Sequence, residues 1–311
     1  MIKALLGAIL LCSALSLSAQ IKPSAKAPPG TKVITSFAQD HNVVGWLEVF
    51  PFESKILHNT RMIRVLLPAN YLSPHNASRS YPVLYMQDGQ NLFDDATAVH
   101  GEWQMDDTVE HLVGSFKIPP MLVVGIDNSG ETAAAEYLPY PDPQNTDDKN
   151  ATDEKSVQGQ EYTRFLLVEL MPFIEKHYRV SRGAMNTGIG GSSYGADIAL
   201  YTALINPGIF GHVLLESPIL WIGSDRLIKD AEKAKVLPQT MYIGVGTSES
   251  LKGDPKQAAE VVEKVEDLEK VLRKKGMTTA RLRVVIENGG DHNESAWARR
   301  LPEAMLFLYG K

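Results

Sequence analysis

Two spacings of apolar residues alternate along this chain. Short runs, continuous or every second residue, mark strands at Trp46-Leu47-Glu48-Val49-Phe50, Met62 to Leu67, Tyr81 to Met86, Met121 to Ile126, His212 to Leu215 and Thr240 to Val245. Leu282, Val284 and Ile286 alternate in a last strand. Between these runs the spacing widens to three and four. Leu166, Leu170, Phe173 and Ile174 share one face of a helix predicted from Tyr162 to Tyr178, with a kink at Pro172. Gln257 to Lys275 puts Val261, Val265, Leu268 and Leu272 on one side and charge on the other, and Gly276 stops it. Asn293 to Tyr309 reads as a closing helix. A run as apolar as Met121 to Ile126 suits a strand covered on both faces. The pattern predicts an α/β fold, a mostly parallel central sheet with helices on both faces.

The ends and one internal stretch fall outside this pattern. Lys3, the apolar run Ala4 to Leu17 and the small residues before Gln20 predict a signal peptide over residues 1–19. Residues 20–42 read as an extended leader, with three prolines between Ile21 and Gly30, and 43–311 as one domain. Pro139 to Gln160 is rich in Asp, Asn, Pro and Lys and is expected to be a solvated loop or a lid over the site.

Composition narrows the function. The only cysteine, Cys12, lies in the signal segment, so the mature chain has no disulfide, thiol chemistry or cysteine-based metal site. An export signal implies a secreted or periplasmic protein, and 44% hydrophobic residues supply its core. Sequons stand at Asn76, Asn150 and Asn293, and a glycan on Asn293 would crowd His292, which favours an unglycosylated bacterial protein. The net charge is −6 and no long basic run occurs, so no nucleic-acid partner is expected. Beyond the signal no apolar run is long enough for stable membrane insertion.

The candidate chemistry begins at Gly191-Ser192-Ser193-Tyr194-Gly195. A short apolar stretch precedes it and a helix-like run, Ala196 to Ile205, follows. Strand, G-x-S-x-G and helix form the context of a nucleophile elbow, although a Gly-rich βα turn shares the spacing. In the elbow reading the Ser193 hydroxyl stands above the sheet and the Tyr194 N–H faces a developing oxyanion. A serine needs a base, and Gly289-Gly290-Asp291-His292, just past the last strand, offers His292 on a tight loop. The acid that orients the imidazole is expected between the two. Glu249 after the Thr240 strand is the first choice, with Glu216 and Asp254 as rivals. Trp103, Tyr137, Tyr140 and Trp221 sit in loops where they can wall an acyl pocket or simply pack. Asp94-Asp95 and Asp106-Asp107 read as cap or surface groups. No metal motif such as H-E-x-x-H occurs, and neither metal nor cofactor is expected.

Several blocks together resemble the esterase D and enterochelin esterase group of α/β-hydrolases. They are Tyr81 to Asp94, Gly125-Ile126-Asp127-Asn128 with Glu136-Tyr137-Leu138-Pro139, and Gly190 to Gly195. Ser217-Pro218 with Trp221, and Gly290 to Glu294 with Trp297, continue the match, which runs from about Trp46 to the C-terminus. The resemblance implies an α/β-hydrolase fold and a carboxylic ester hydrolase with Ser193 and His292 in its triad. It also implies a second oxyanion amide after the third strand, at Gln90 or its neighbour Asn91, which also stands as a substrate contact. Two positions depart from the family's pattern. Ala133-Ala134-Ala135 stands where members often carry an arginine, and Asp197, four residues after Ser193, stands where they are apolar. The missing arginine leans away from an anionic siderophore and towards feruloyl or acetyl esters on plant polysaccharide. A siderophore lactone esterase is the alternative, and an acyltransferase or binding protein on the same fold is the alternative of another class.

Overall fold

The computed structural model describes residues 24–38, 40–141, 156–249 and 255–310. The expected signal peptide, Asp254 and residues 142–155 of the expected lid lie outside the described residues.

One nine-stranded sheet carries the chain. It comprises β1 (Lys32–Thr35), β2 (Trp46–Ser54), β3 (Asn59–Leu67), β4 (Val83–Gln87), β5 (Leu122–Ile126), β6 (Thr187–Ser192), β7 (His212–Glu216), β8 (Thr240–Gly246) and β9 (Leu282–Glu287). Their order is β1-β2-β3-β5-β4-β6-β7-β8-β9. β1, β2, β3 and β5 pair antiparallel, and every pairing from β5 to β9 is parallel. The parallel strands β4 to β8 are buried along almost their whole length, as the unbroken apolar run of β5 predicts for that strand.

Alternate residues of each strand serve two cores. Val83 and Tyr85 of β4, with Val213 and Leu215 of β7, face one layer, which includes α5 (Tyr194–Ile205) and α7 (Pro255–Lys274). Leu84, Met86 and Leu214 face the other, where α1 (Met105–Gly114) and α8 (Glu294–Tyr309) pack. α7 buries Val261, Val265, Leu268 and Leu272, and two residues past its end stands Gly276, whose φ of 93° suits a glycine. α5 is apolar all round because its neighbours cover it all round, and ten of its residues are buried.

Three features differ from the sequence reading. Lys32–Thr35, inside the expected leader, adds the edge strand β1 against Trp46–Val49. The strand is only four residues long, too short for periodicity to reveal. The helix expected from Tyr162 is divided into α3 (Gly159–Arg164), a π-helical stretch over Phe165–Leu170, and α4 (Met171–His177), where Pro172 sits in the first turn. A proline has no N–H and its ring crowds the carbonyl four residues back, so the regular i→i−4 ladder is interrupted there. Asp94 and Asp106 are wholly buried rather than surface groups. Asp94 pairs with His41 at 2.6 Å, and Asp106 accepts the Val44 N–H at 2.6 Å, so both tie the 41–44 loop to the domain. Among the described residues no helix is long and apolar enough to cross a membrane.

Candidate active site

The parallel strands deliver their C-terminal ends to one rim. β6 ends at Ser192, and Ser193 turns the chain into α5 with φ 54° and ψ −131°. Such angles cost a non-glycine residue about 1–3 kcal/mol, so the surroundings must impose them. The Ser193 N–H donates to the Glu216 carbonyl at 2.9 Å, and its own carbonyl accepts the Ala196 and Asp197 amides at 3.0 and 3.2 Å. The flanking glycines have no room for a side chain. A Cβ on Gly191 would lie 2.7 Å from the Gly195 backbone, and one on Gly195 would lie 2.9 Å from Asp88 Oδ2. Ser192 is instead a buried strand residue in register with Glu216. The tight turn between strand and helix is therefore at Ser193, and Tyr194 opens the helix after it.

The loops after β8 and β9 meet above the same rim. A Cβ on Gly246 would lie 2.0 Å from the Gly290 carbonyl, so only glycine lets the two loops approach this closely. Ser248 N–H donates to Gly290 O at 2.9 Å and Thr247 N–H to Glu287 O at 3.0 Å. The result is a pair: His292 Nδ1 stands 3.2 Å from Glu249 Oε2, with Glu249 fully buried and the His292 side chain 10% exposed. Glu249 Oε1 also accepts the Gly246 N–H at 2.6 Å and the Ser217 hydroxyl. Glu216, the rival acid, faces Arg300 at 2.7 Å. A carboxylate on the Nδ1 side leaves Nε2 as the ring nitrogen able to take a proton.

The Esterase family model matches residues 54–308. The chain belongs to this esterase family. It is a carboxylic ester hydrolase. The chain is 25% identical over 256 residues to the uncharacterized protein YbbA of Bacillus subtilis (strain 168), covering 81% of this chain and 93% of that one. Among solved structures it is similar to a ferulic acid esterase, with TM-score 0.63 and 17% identity over 85% of this chain and 97% of the other. It is also similar to the enterobactin esterase FES from Shigella flexneri, with TM-score 0.62 and 19% identity, covering 84% of this chain and 58% of that one. At these identities the two structures speak for the fold, which is that of the α/β-hydrolases.

In this esterase the remaining predicted residues fall into two groups. Gln90 and Asn91 lie in a short turn after β4. The Asn91 N–H is engaged with the Asp88 carbonyl at 2.9 Å, and its side chain donates to Glu294 at 2.9 Å. Gln90 is held by its side chain, which accepts the Asn128 N–H at 3.1 Å, and by its carbonyl, which accepts the Thr97 hydroxyl at 2.8 Å. The aromatic residues divide differently from the expected pocket. Trp103 and Tyr137 are 2% and 3% exposed and act as packing. Trp103 lies against Trp297, whose ring meets the edge of His292 at 5.4 Å. Tyr137 hydrogen-bonds Asp88 and packs on Tyr162. Trp221 is half-buried in a small cluster with Tyr194, Leu138 and Ile219. Tyr140 is engaged by Arg226, 4.0 Å over its ring, and by Asp230.

Two acids bear on the electrostatics. Asp197 is wholly buried, and its Oδ1 accepts the Ile219 N–H at 2.9 Å. Burial raises its pKa well above the usual carboxylate range, which disfavours a negative charge beneath the elbow. Asp88, in a left-handed conformation at φ 56°, borders Gly195; burial pushes it up to about 6, against the bond from Asn128. Ser217, Trp297 and Arg300 also reach the pair, and sequence reasoning gave them no role. The only signal was the Ser217-Pro218 and Trp297 positions within the resemblance. Among the described residues no group of His, Cys, Asp or Glu is arranged to hold a metal.

Proposed function

We propose that this esterase is an exported serine hydrolase that cleaves carboxylic esters through an acyl-enzyme. Ser193 Oγ attacks the ester carbonyl while His292 Nε2 takes the hydroxyl proton, and Glu249 orients the imidazole and balances its charge. The amides of Tyr194 and Gln90 hold the oxyanion. Asn91 is the lesser choice, because its N–H already bonds to Asp88. As the tetrahedral intermediate collapses, the alcohol leaves with the proton from His292. Water then attacks the acyl group with His292 again as base, releasing the acid and restoring Ser193. The observation that carries this reading is the backbone of Ser193, held at φ 54° and ψ −131° between strand and helix, a conformation that an ordinary βα turn does not need.

Feruloyl or acetyl esters on plant polysaccharide are the substrates this reading favours. Ala133 and Ala134 at the start of α2 (Ala133–Tyr137) present no cation where an anionic siderophore would need one, and Trp221 beside Tyr194 offers an aromatic wall. A siderophore lactone is the second reading, and acyl transfer on the same machinery the third. Ser193→Ala should lower kcat by about 10⁶-fold while the protein stays folded. A fluorophosphonate should label Ser193, and a label on Ser192 would overturn the assignment. A panel of chromogenic acetyl, butyryl and feruloyl esters, with a catecholate lactone included, separates the substrate readings.

A further inference from the structure

Glu249 is held from behind. Its Oε1 accepts the Ser217 hydroxyl and the Gly246 N–H, and Arg300 Nη2 lies 3.9 Å away, while Oε2 alone faces His292. Ser217 is itself wholly buried at φ 49°, with its N–H on the Gly244 carbonyl at 2.7 Å. The indole N–H of Trp297 donates to the Ser217 oxygen at 2.8 Å. An indole N–H can only donate, so the single hydroxyl proton of Ser217 is left to point at Glu249. Arg300 completes the arrangement. Its Nε and Nη2 engage Glu216, and its Nη1 engages Glu287 at 2.6 Å. The second buried acid is thereby paired away from the first.

We propose that Ser217, its hydroxyl aimed by Trp297, is a positioning residue that locks the Glu249 carboxylate so that one oxygen stays turned to His292. Without that bond the carboxylate can rotate about its last carbon–carbon bond, and both oxygens compete for the Gly246 N–H and Arg300. The proposal rests on the triad reading of Glu249 and His292. It concerns kcat rather than substrate affinity, because Ser217 is buried behind the acid.

Steady-state kinetics on Ser217→Ala, Ser217→Gly, Glu249→Gln and the double variant Ser217→Ala/Glu249→Gln test it, with circular dichroism and thermal unfolding for each. Ser217→Ala should lower kcat about tenfold or more, with KM within about twofold, the scale for losing a group that orients a reacting one. Ser217→Gly removes the same hydroxyl but suits the left-handed backbone, so it guards against misfolding of the alanine variant. Positioning predicts the same kcat loss in both, whereas a purely structural role predicts that activity follows thermal stability. The double variant should be no slower than Glu249→Gln alone, since Ser217 acts only through Glu249. Losses that multiply, or Ser217 variants as active as the parent beside an inactive Glu249→Gln, would overturn the positioning role and leave the triad standing. A fully active Glu249→Gln would remove the triad reading and this proposal with it.

Discussion

Oε2 of Glu249 lies 3.2 Å from Nδ1 of His292, whereas Glu216, at the end of the neighbouring strand, turns to Arg300 at 2.7 Å. Both acids are buried and both follow Ser193 in the chain. Burial pushes the Glu216 carboxyl up, against the pull of Arg300 and with Glu249 adding repulsion. An acid already engaged by a guanidinium has little reason to orient an imidazole, and Glu249 has the geometry for it.

Glu249→Gln should therefore lower kcat by about 10³- to 10⁴-fold, the scale for a triad acid. Glu216→Gln, which keeps an oxygen for Arg300, should cost less than about tenfold. Steady-state kinetics on both folded variants decide it. The reverse order would assign the acid to Glu216.

Asp197 separates a neutral from a charged acid beneath the elbow. Burial raises the Asp197 pKa well above the usual carboxylate range, and Asp197→Asn preserves both its shape and the acceptor for the Ile219 N–H. It should retain kcat within about threefold. Asp197→Ala strands that buried amide and should cost about 1–3 kcal/mol of stability. Denaturant unfolding and an ester assay check the pair. A large kcat loss in Asp197→Asn with stability intact would mean that the charge matters.

Glu102 predicts a pH dependence of stability. It is 7% exposed, accepts from Asn42 at 2.6 Å, and has its other oxygen without a partner. Burial and the neighbouring Asp106 push it up to about 8. An unfolded glutamate titrates near ~4.3, so the folded state binds the extra proton between these values. Its cost is absent below the unfolded value, accumulates as pH rises through the window and is complete above about 8. Glu102→Gln escapes this cost. Its melting temperature should exceed the parent's by at least about 2 °C above pH 8, a shift worth about 1 kcal/mol in a chain of this size, with the gain vanishing near pH 4. Calorimetry at both ends of the range tests it, and an equal shift at both would show that folding does not raise the Glu102 pKa.

Much of this protein was legible in its residue order. Continuous apolar runs such as Leu122–Ile126 predicted buried parallel strands because nothing else covers such a segment on two faces. Gly191 and Gly195 around Ser193 predicted a tight strand-to-helix turn because only glycine fits where two backbones nearly touch. Local pattern could not say that Lys32–Thr35 joins the sheet, nor that Asp106 and Asp197 are buried, since a charged residue at a helix start is equally at home on the surface. Glu249 stood first in the sequence by its place after the Thr240 strand, but what each acid contacts is set by the tertiary structure. Both acids stand at strand ends, and only the packing of the Gly246 and Gly290 loops, with Arg300 brought from the last helix, turns one towards His292 and the other away. Spacing along a chain reports which face a residue takes. Pairing between residues 43 or 84 positions apart is decided by how the layers close.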